Sequence, residues 1–266
     1  MAAKLCGLAI LLALTVQISF TESKHLAKKP DFLIPCDFND DANLNTCCAK
    51  NFQLLLTGWG PSGIPGLNLG SLDPLTIKRI KVQQNTPPLV LDAILENLVV
   101  TGATEAVVNK VVLDKKTLVL DARLELPKLH AVGNYKVKGS VLGLNINGQG
   151  DCTFDASKIR LAFHLTTKLR DEGDLTFSEV LSFKAKILEI GDFHIDVMRL
   201  FDGQPELTST ANDLFNQNWR ELFGILGPTL EQTLEAVLGD RLMRMYKYIP
   251  ASYLFVNLPT ASAFYG

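Results

Sequence analysis

The chain has 266 residues, 47% of them hydrophobic and 20% charged, with 26 Lys and Arg against 28 Asp and Glu for a formal net charge of -2. That composition excludes a disordered chain, because there is enough apolar surface to offset the entropy of ordering. The balanced charge supplies no field that would gather polyanions, so neither nucleic acid nor an anionic membrane is an expected partner, and a β-rich chain of this length forms one domain by default.

At the N-terminus, Met1 to Lys4 carries one positive charge and Leu5 to Val16 is an unbroken apolar run. Small and polar residues follow, with Thr21 and Ser23 spaced as a cleavage site requires. This predicts a signal peptide over residues 1–23 and an exported, secreted chain over 24–266. The apolar run falls short of the roughly 20 residues a membrane span needs, and no later segment has the length and polarity of one, so no integral membrane association is expected.

Export removes Cys6 and leaves Cys36, Cys47, Cys48 and Cys152 in an oxidising compartment, where three full pairings are open to them. Leu44 to Leu56 has helical apolar spacing, and Cys36 bonded to Cys47 or to Cys48 would staple the entry to that helix. No metal is expected, since adjacent Cys47 and Cys48 are not spaced as zinc ligands and no histidine stands near them in sequence. Gly58 to Pro74 is too rich in glycine and proline to be regular.

From Leu75 to Phe201 the apolar period becomes two, the mark of strands with one buried face. In Thr117 to Leu126, Leu118, Leu120, Ala122, Leu124 and Leu126 share a face. In Lys158 to Arg170, Ile159, Leu161, Phe163, Leu165 and Leu169 do the same. Weaker alternation predicts strands over Ile77–Gln84, Leu89–Thr101, Ala106–Asp114, Gly133–Asn147, Thr176–Leu188 and Gly191–Phe201. Short polar links such as Asp114-Lys115-Lys116 suit hairpins, hence an antiparallel sheet.

The period then returns to that of a helix. Leu214, Trp219, Leu222, Phe223, Leu226, Leu230, Leu234, Leu238 and Leu242 form one apolar stripe, with Thr208, Ser209 and Thr210 offering caps and Gly224, Gly227 and Pro228 predicting a kink. A long helix must bury that stripe, and the only large apolar surface available is the inner face of the sheet. The fold class is therefore α+β: a long C-terminal helix wrapped by a strongly curved antiparallel sheet, with a short N-terminal helix.

At this point the residues resemble a known family. Cys36 followed by Asn43-Leu44-Asn45-Thr46-Cys47, Gly63-Ile64-Pro65, Leu72-Asp73-Pro74-Leu75, Gly133-Asn134-Tyr135-Lys136 through Gly139, Gly148 to Gly150, and Phe215-Asn216-Gln217-Asn218-Trp219 occur in the order found in insect haemolymph juvenile hormone binding and takeout proteins. They span nearly all of the mature chain. The resemblance implies the tubular lipid-binding architecture and an internal apolar pocket or tunnel. It also implies a disulfide from Cys36 to Cys47, with Cys48 an extra residue. Hormone-binding members carry a second disulfide, but Cys152 here has no partner downstream. It is left free, paired with Cys48, or open to another chain.

No Gly-x-Ser-x-Gly elbow, His-Glu-x-x-His or phosphate-binding loop is present in the sequence, and Gly148-Gln149-Gly150 lacks the third glycine and the helix of a dinucleotide site. The expectation is a non-enzyme without cofactors. His164 and His194 fall on polar strand faces, and Lys136 and Lys138 on a solvated one. The reading that follows is a carrier whose partner is a small lipophilic ligand, such as a juvenile hormone-like sesquiterpenoid, a fatty acid or another isoprenoid, released to a receptor or another haemolymph protein. The candidate lining is Leu118, Leu120, Leu124, Tyr135, Phe163, Leu165, Phe183, Ile187, Phe193, Leu222 and Leu226, with the Tyr135 hydroxyl offering a directional contact. The alternative is a lipid-surface or protein-interaction module of the same architecture with no discrete ligand.

Overall fold

The computed structural model describes residues 25–266 except positions 88 and 142. The signal-peptide reading falls outside the described residues. A short strand β1 (Cys36–Asp37) and helix α1 (Leu44–Trp59) precede the sheet strands β2 (Leu75–Thr86), β3 (Leu89–Thr101), β4 (Val107–Asp114), β5 (Val119–Val141), β6 (Leu144–Glu172), β7 (Leu175–Glu189) and β8 (Asp192–Val197). Helices α2 (Pro205–Gln217) and α3 (Trp219–Tyr248), strand β9 (Phe255–Val256) and helix α4 (Ala261–Tyr265) complete the chain.

The sheet is antiparallel, with order β2-β3-β5-β6-β7 and with β4 beside β5 and β8 beside β6. Two strands carry it. β5 has 23 residues and β6 has 29, so at about 3.3 Å per residue β6 would extend roughly 95 Å if straight. Both curl instead. The ladder slips register between Glu96 and Val99, Val108 and Lys110, and Thr166 and Thr167, and Asn97 and Lys158 take positive φ. Each bulge bends its strand and adds right-handed twist, which turns a flat ribbon into a half-barrel.

Partners change halfway along the long strands. β5 pairs with β4 through Glu125 and with β3 from His130 onward, while β6 pairs with β8 over Cys152–Ser157 and with β7 from Arg160. Two lobes result. Lobe A consists of β2, β3, β8 and the adjoining halves of β5 and β6; lobe B consists of β4, β7 and the other halves.

A sheet with open edges exposes rows of unpaired backbone groups. Here helices cover three of the four edges and bond to them through side chains. From α1, Asn45 Oδ1 accepts the Leu113 N–H at 2.9 Å, and Gln53 accepts from Val108 N and donates to Ala106 O, both at 2.9 Å, along β4. From α2, Asn212 and Asn216 each accept and donate across a single β8 residue, Val197 and Ile195 respectively. From α3, Glu231 Oε1 accepts the Ile187 N–H at 3.0 Å and Glu235 Oε1 the Ala185 N–H at 3.1 Å, along β7. The α2 and α3 pairs are spaced by four, so both members share a helix face. The fourth edge belongs to β2, whose Lys78, Arg79 and Lys81 discourage pairing with another chain.

Four strand and helix expectations need correction. The run Gly133–Asn147 is not one strand: it holds the β5–β6 turn, and Thr117–Leu126 flows without a break into its first part as β5. The last predicted strand stops at Val197, because residues 198–201 cross over β6. A Cβ at Gly148 or Gly150 would collide with the Leu200 or Met198 backbone, so this crossing requires glycine there. The terminal helix is two helices that break at Asn218, whereas Pro228 lies inside α3. Thr208 to Thr210 do not cap, since α2 starts at Pro205; the Thr208 hydroxyl instead accepts the Phe201 N–H at 3.2 Å.

Candidate functional site

Helix α3 gives the first sign of an unfilled interior. It has 30 residues and an apolar stripe, yet only Trp219 and Gly239 in it are buried. Of its other apolar side chains, Leu222, Phe223, Leu226 and Leu230 face one cavity and Leu242 and Met245 another, one in each lobe.

Chamber A, of about 440 Å³, lies in lobe A and is lined by β2, β3, β5, β6 and β8 on one side and by α2 and α3 on the other. Its lining includes Ile80, Leu95, Leu98, Val137, Phe154, Phe193, Leu222, Leu226 and Leu230, and no charged residue. The polar atoms in that lining belong to Tyr135 and Trp219. Ligand sites typically occupy roughly 300–1,000 Å³. Chamber B, of about 130 Å³, lies in lobe B between α1, the β5–β6–β7 surface and the end of α3.

A packed layer separates them. On the inner face, Leu124 pairs with Leu161 and Leu126 with Ile159, and these four side chains are buried with Ile187 and Leu234 packed against them. Along the same strands, Ala122 and Phe163 line chamber B, while Leu129 and Ala156 line chamber A. The layer acts as a septum across the half-barrel.

The sequence-predicted lining divides accordingly. Leu118, Leu120, Phe163, Leu165 and Phe183 face chamber B, and Tyr135, Phe193, Leu222 and Leu226 face chamber A. Leu124 and Ile187 belong to the septum and line neither chamber, a correction that strand alternation alone cannot anticipate, since it gives the inward face but not where packing closes. Tyr135 also differs from expectation. Its ring is 5% exposed and its hydroxyl donates to Met198 O at 2.8 Å, so the proton expected to meet a ligand holds the crossing segment instead. Burial pushes that phenol up to about 12.

Cys36 and Cys47 form the disulfide, with Cα atoms 5.7 Å apart. Buried Asn51 supports it by accepting the Ile34 N–H at 2.9 Å and donating to Cys36 Sγ at 3.2 Å. Cys48 and Cys152 are free and buried, one in each lobe's core, so they neither pair nor present a thiol to another chain. Burial raises both thiols to about 11.

The histidines lie outside the chambers. His164 Nδ1 is 2.8 Å from Asp121 and His130 Nδ1 is 2.9 Å from Asp155, in pairs that are partly or wholly exposed, and His194 is exposed. Among the described residues no group of three or more His, Cys, Asp or Glu is placed to hold a metal. No described helix is long and apolar enough to cross a membrane. Sequence reasoning missed the joining of Lys136 and Lys138 with Arg79, Lys81 and Arg199 around an open polar groove that Asp92 and Asp202 also line. The register across β3 creates that grouping, and no run of lysines announces it.

A curled antiparallel sheet flanked by helices around apolar chambers defines a ligand-binding carrier fold. The chain belongs to the haemolymph juvenile hormone binding protein family, whose description matches residues 9–256. It is 22% identical over 202 residues to the circadian clock-controlled protein daywake of Drosophila yakuba, covering 73% of this chain and 77% of that one. In fold it is similar to the crystal structure of Epiphyas postvittana Takeout 1, with a TM-score of 0.74 at 18% identity over 84% of this chain and 99% of that one.

Proposed function

We propose that the chain is a secreted carrier which holds a small hydrophobic ligand in chamber A, of the class of juvenile hormone-like sesquiterpenoids, fatty acids and other isoprenoids. The observation that carries this reading is an uncharged, apolar cavity of about 440 Å³ on the inner face of the sheet. At about 30 Å³ per heavy atom it has room for roughly fifteen non-hydrogen atoms. Tyr135, Phe193, Leu222 and Leu226 are the proposed contacts from the predicted set, and selection is by shape and burial. The disulfide and the family suit an oxidising, extracellular setting.

Affinity should then rise about fourfold for each added methylene, at about 0.8 kcal/mol per buried CH₂, until the chamber is full. The test is native mass spectrometry of protein from a eukaryotic secretion host, with lipid extraction and N-terminal sequencing. A stoichiometric, chemically unchanged lipophile on a chain cleaved near residue 23 is expected, and Ala131→Phe, which intrudes into the chamber, should shift the retained lipophile toward smaller molecules. An empty protein that also takes up no fatty acid or terpenoid in a displacement titration refutes the proposal.

A further inference from the structure

The sheet edges are not finished alike. Side chains of α1, α2 and α3 bond to the backbones of β4, β8 and β7, but among the described residues no helix side chain bonds to the backbone of β2, whose second side lies open. Leu75 at the start of β2 is buried, whereas Lys78, Arg79, Lys81, Gln83 and Asn85 are exposed, so the free stretch is residues 78–85. Its two faces carry opposite chemistry. Ile80 and Val82 turn inward and line chamber A. Arg79 and Lys81 turn outward, into the groove that Lys136, Lys138 and Arg199 share. That groove holds these five cations against two carboxylates, Asp92 and Asp202, in a chain whose formal net charge is -2. Arg79 and Lys136 lean on Glu96 at 4.0 and 3.8 Å, but Lys81 stands opposite Ile94, and among the described residues no carboxylate lies within ion-pair distance of it.

We infer that the open edge of β2 over residues 78–85 is a docking site for an extended segment of a partner protein in which acidic and apolar residues alternate. An uncovered edge is a template for an added strand: ladder bonds supply affinity, and every second side chain supplies selection. The acidic residues of such a segment lie beside Arg79 and Lys81 on the outer face, and its apolar residues lie beside Ile80 and Val82, where they extend the wall of chamber A. The cations that blunt this edge toward basic strands attract an acidic one, so a single feature both rejects and selects. A second copy of this chain is the wrong occupant. Any register that pairs residues 78–82 of two copies sets Lys78, Arg79 and Lys81 of one against those of the other, and like charges across a ladder destabilise it. The site stands independently of what chamber A holds.

The probe is a capped, fluorescently labelled peptide that alternates Glu and Val, titrated by anisotropy into the full chain and its Lys81→Glu variant. Its controls are a peptide of the same composition with the Glu and Val residues in separate blocks, an alternating Lys and Val peptide, and phosphatidylserine vesicles. The alternating acidic peptide is expected to bind, to weaken with added salt, and to slow amide exchange within residues 78–85. Lys81→Glu exchanges an attraction for a repulsion across the ladder and should weaken binding roughly five- to thirtyfold. Both control peptides should bind more weakly than the probe. Equal binding of the block peptide overturns the inference, since charge alone then suffices and no strand is added. Unchanged exchange at residues 78–85, or equal affinity for Lys81→Glu, overturns it by placing the peptide elsewhere. So does a chain that takes up no peptide but is captured by the vesicles through Lys81, which makes this face a reader of lipid surfaces.

Discussion

Replacing Glu235 with Ala tests whether α3 is held in place by its bonds to the backbone of β7. One carboxylate oxygen accepts the Ala185 N–H at 3.1 Å and the other the Lys184 ammonium at 3.0 Å. The carboxylate is 20% exposed and Lys184 68% exposed. A hydrogen bond to a charged group contributes about 1.5–3 kcal/mol, whereas an ion pair to a solvated lysine contributes at most about 1 kcal/mol. The backbone bond therefore dominates, and Glu235→Ala should cost about 2 kcal/mol. Glu235→Gln keeps an acceptor and should cost less than half of that, and Lys184→Ala less again. Urea unfolding monitored by circular dichroism reads these as midpoint shifts at constant m. Equal losses for the Ala and Gln variants would show that the acceptor is not what holds the helix.

The pH dependence of the same contact has a defined sign. Burial raises the Glu235 carboxyl, but the Ala185 N–H and Lys184 outweigh it and leave the group below its ordinary range. A group depressed in the folded chain adds stability above its unfolded value and loses it as pH falls through the folded value. The difference between unaltered chain and Glu235→Ala should therefore be largest at neutral pH and shrink as pH falls through the carboxylate range.

Three further outcomes follow from the structure. Asp171 accepts from Ala261 N at 2.9 Å and Ser262 N at 3.2 Å, and these bonds, with the Ala261 N–H foremost, hold its carboxyl low. Asp171→Asn, or acidification through the carboxylate range, should speed amide exchange across residues 258–265, and unchanged exchange would mean that α4 is held by the packing of Phe264 and Leu258 and by the Leu169 N–H to Tyr265 hydroxyl bond. Cys36→Ser with Cys47→Ser opens a loop of sequence separation 11, and should cost about 2.7 kcal/mol in denaturant titration on the loop-entropy account. Leu124→Ala thins the septum at a cost of about 2–5 kcal/mol and should shift the retained lipids toward longer chains by native mass spectrometry. An unchanged chain-length profile would show that the chambers stay separate without Leu124.

The sheet was legible in the sequence wherever one face is buried without interruption. The alternation from Leu118 to Leu126 and from Ile159 to Leu169 marks the inward faces of β5 and β6, since a residue turned the wrong way would expose a leucine. It failed at Gly133–Asn147 because period two continues through a tight hairpin when apolar residues flank it. The helical stripe was visible, but Pro228 drew the expected kink away from Asn218, where the side chain donates to Leu214 O at 2.8 Å and ends α2. Of the site, the inward residues were legible one by one. Their division into two chambers was not, because it depends on whether opposing side chains meet across the half-barrel. The roles of Asn45, Asn212 and Asn216 were also hidden: a polar residue on a helix shows no sign in sequence that it will close the edge of a strand far along the chain.

The parallel pairing of β1 with β9 joins Cys36 to Phe255 and Asp37 to Val256, and the Leu26 N–H reaches Tyr248 O at 2.9 Å. During synthesis from the N-terminus, lobe A has all its strands once Val197 has emerged, and two of its pairings are local hairpins. Although α1 already holds Ile34 and Cys36, strand β1 has no ladder partner until Phe255 and Val256 arrive. Lobe B and chamber B are therefore completed last, and a ribosome-bound or C-terminally clipped chain would have its larger chamber built while its smaller one still lay open at both chain ends.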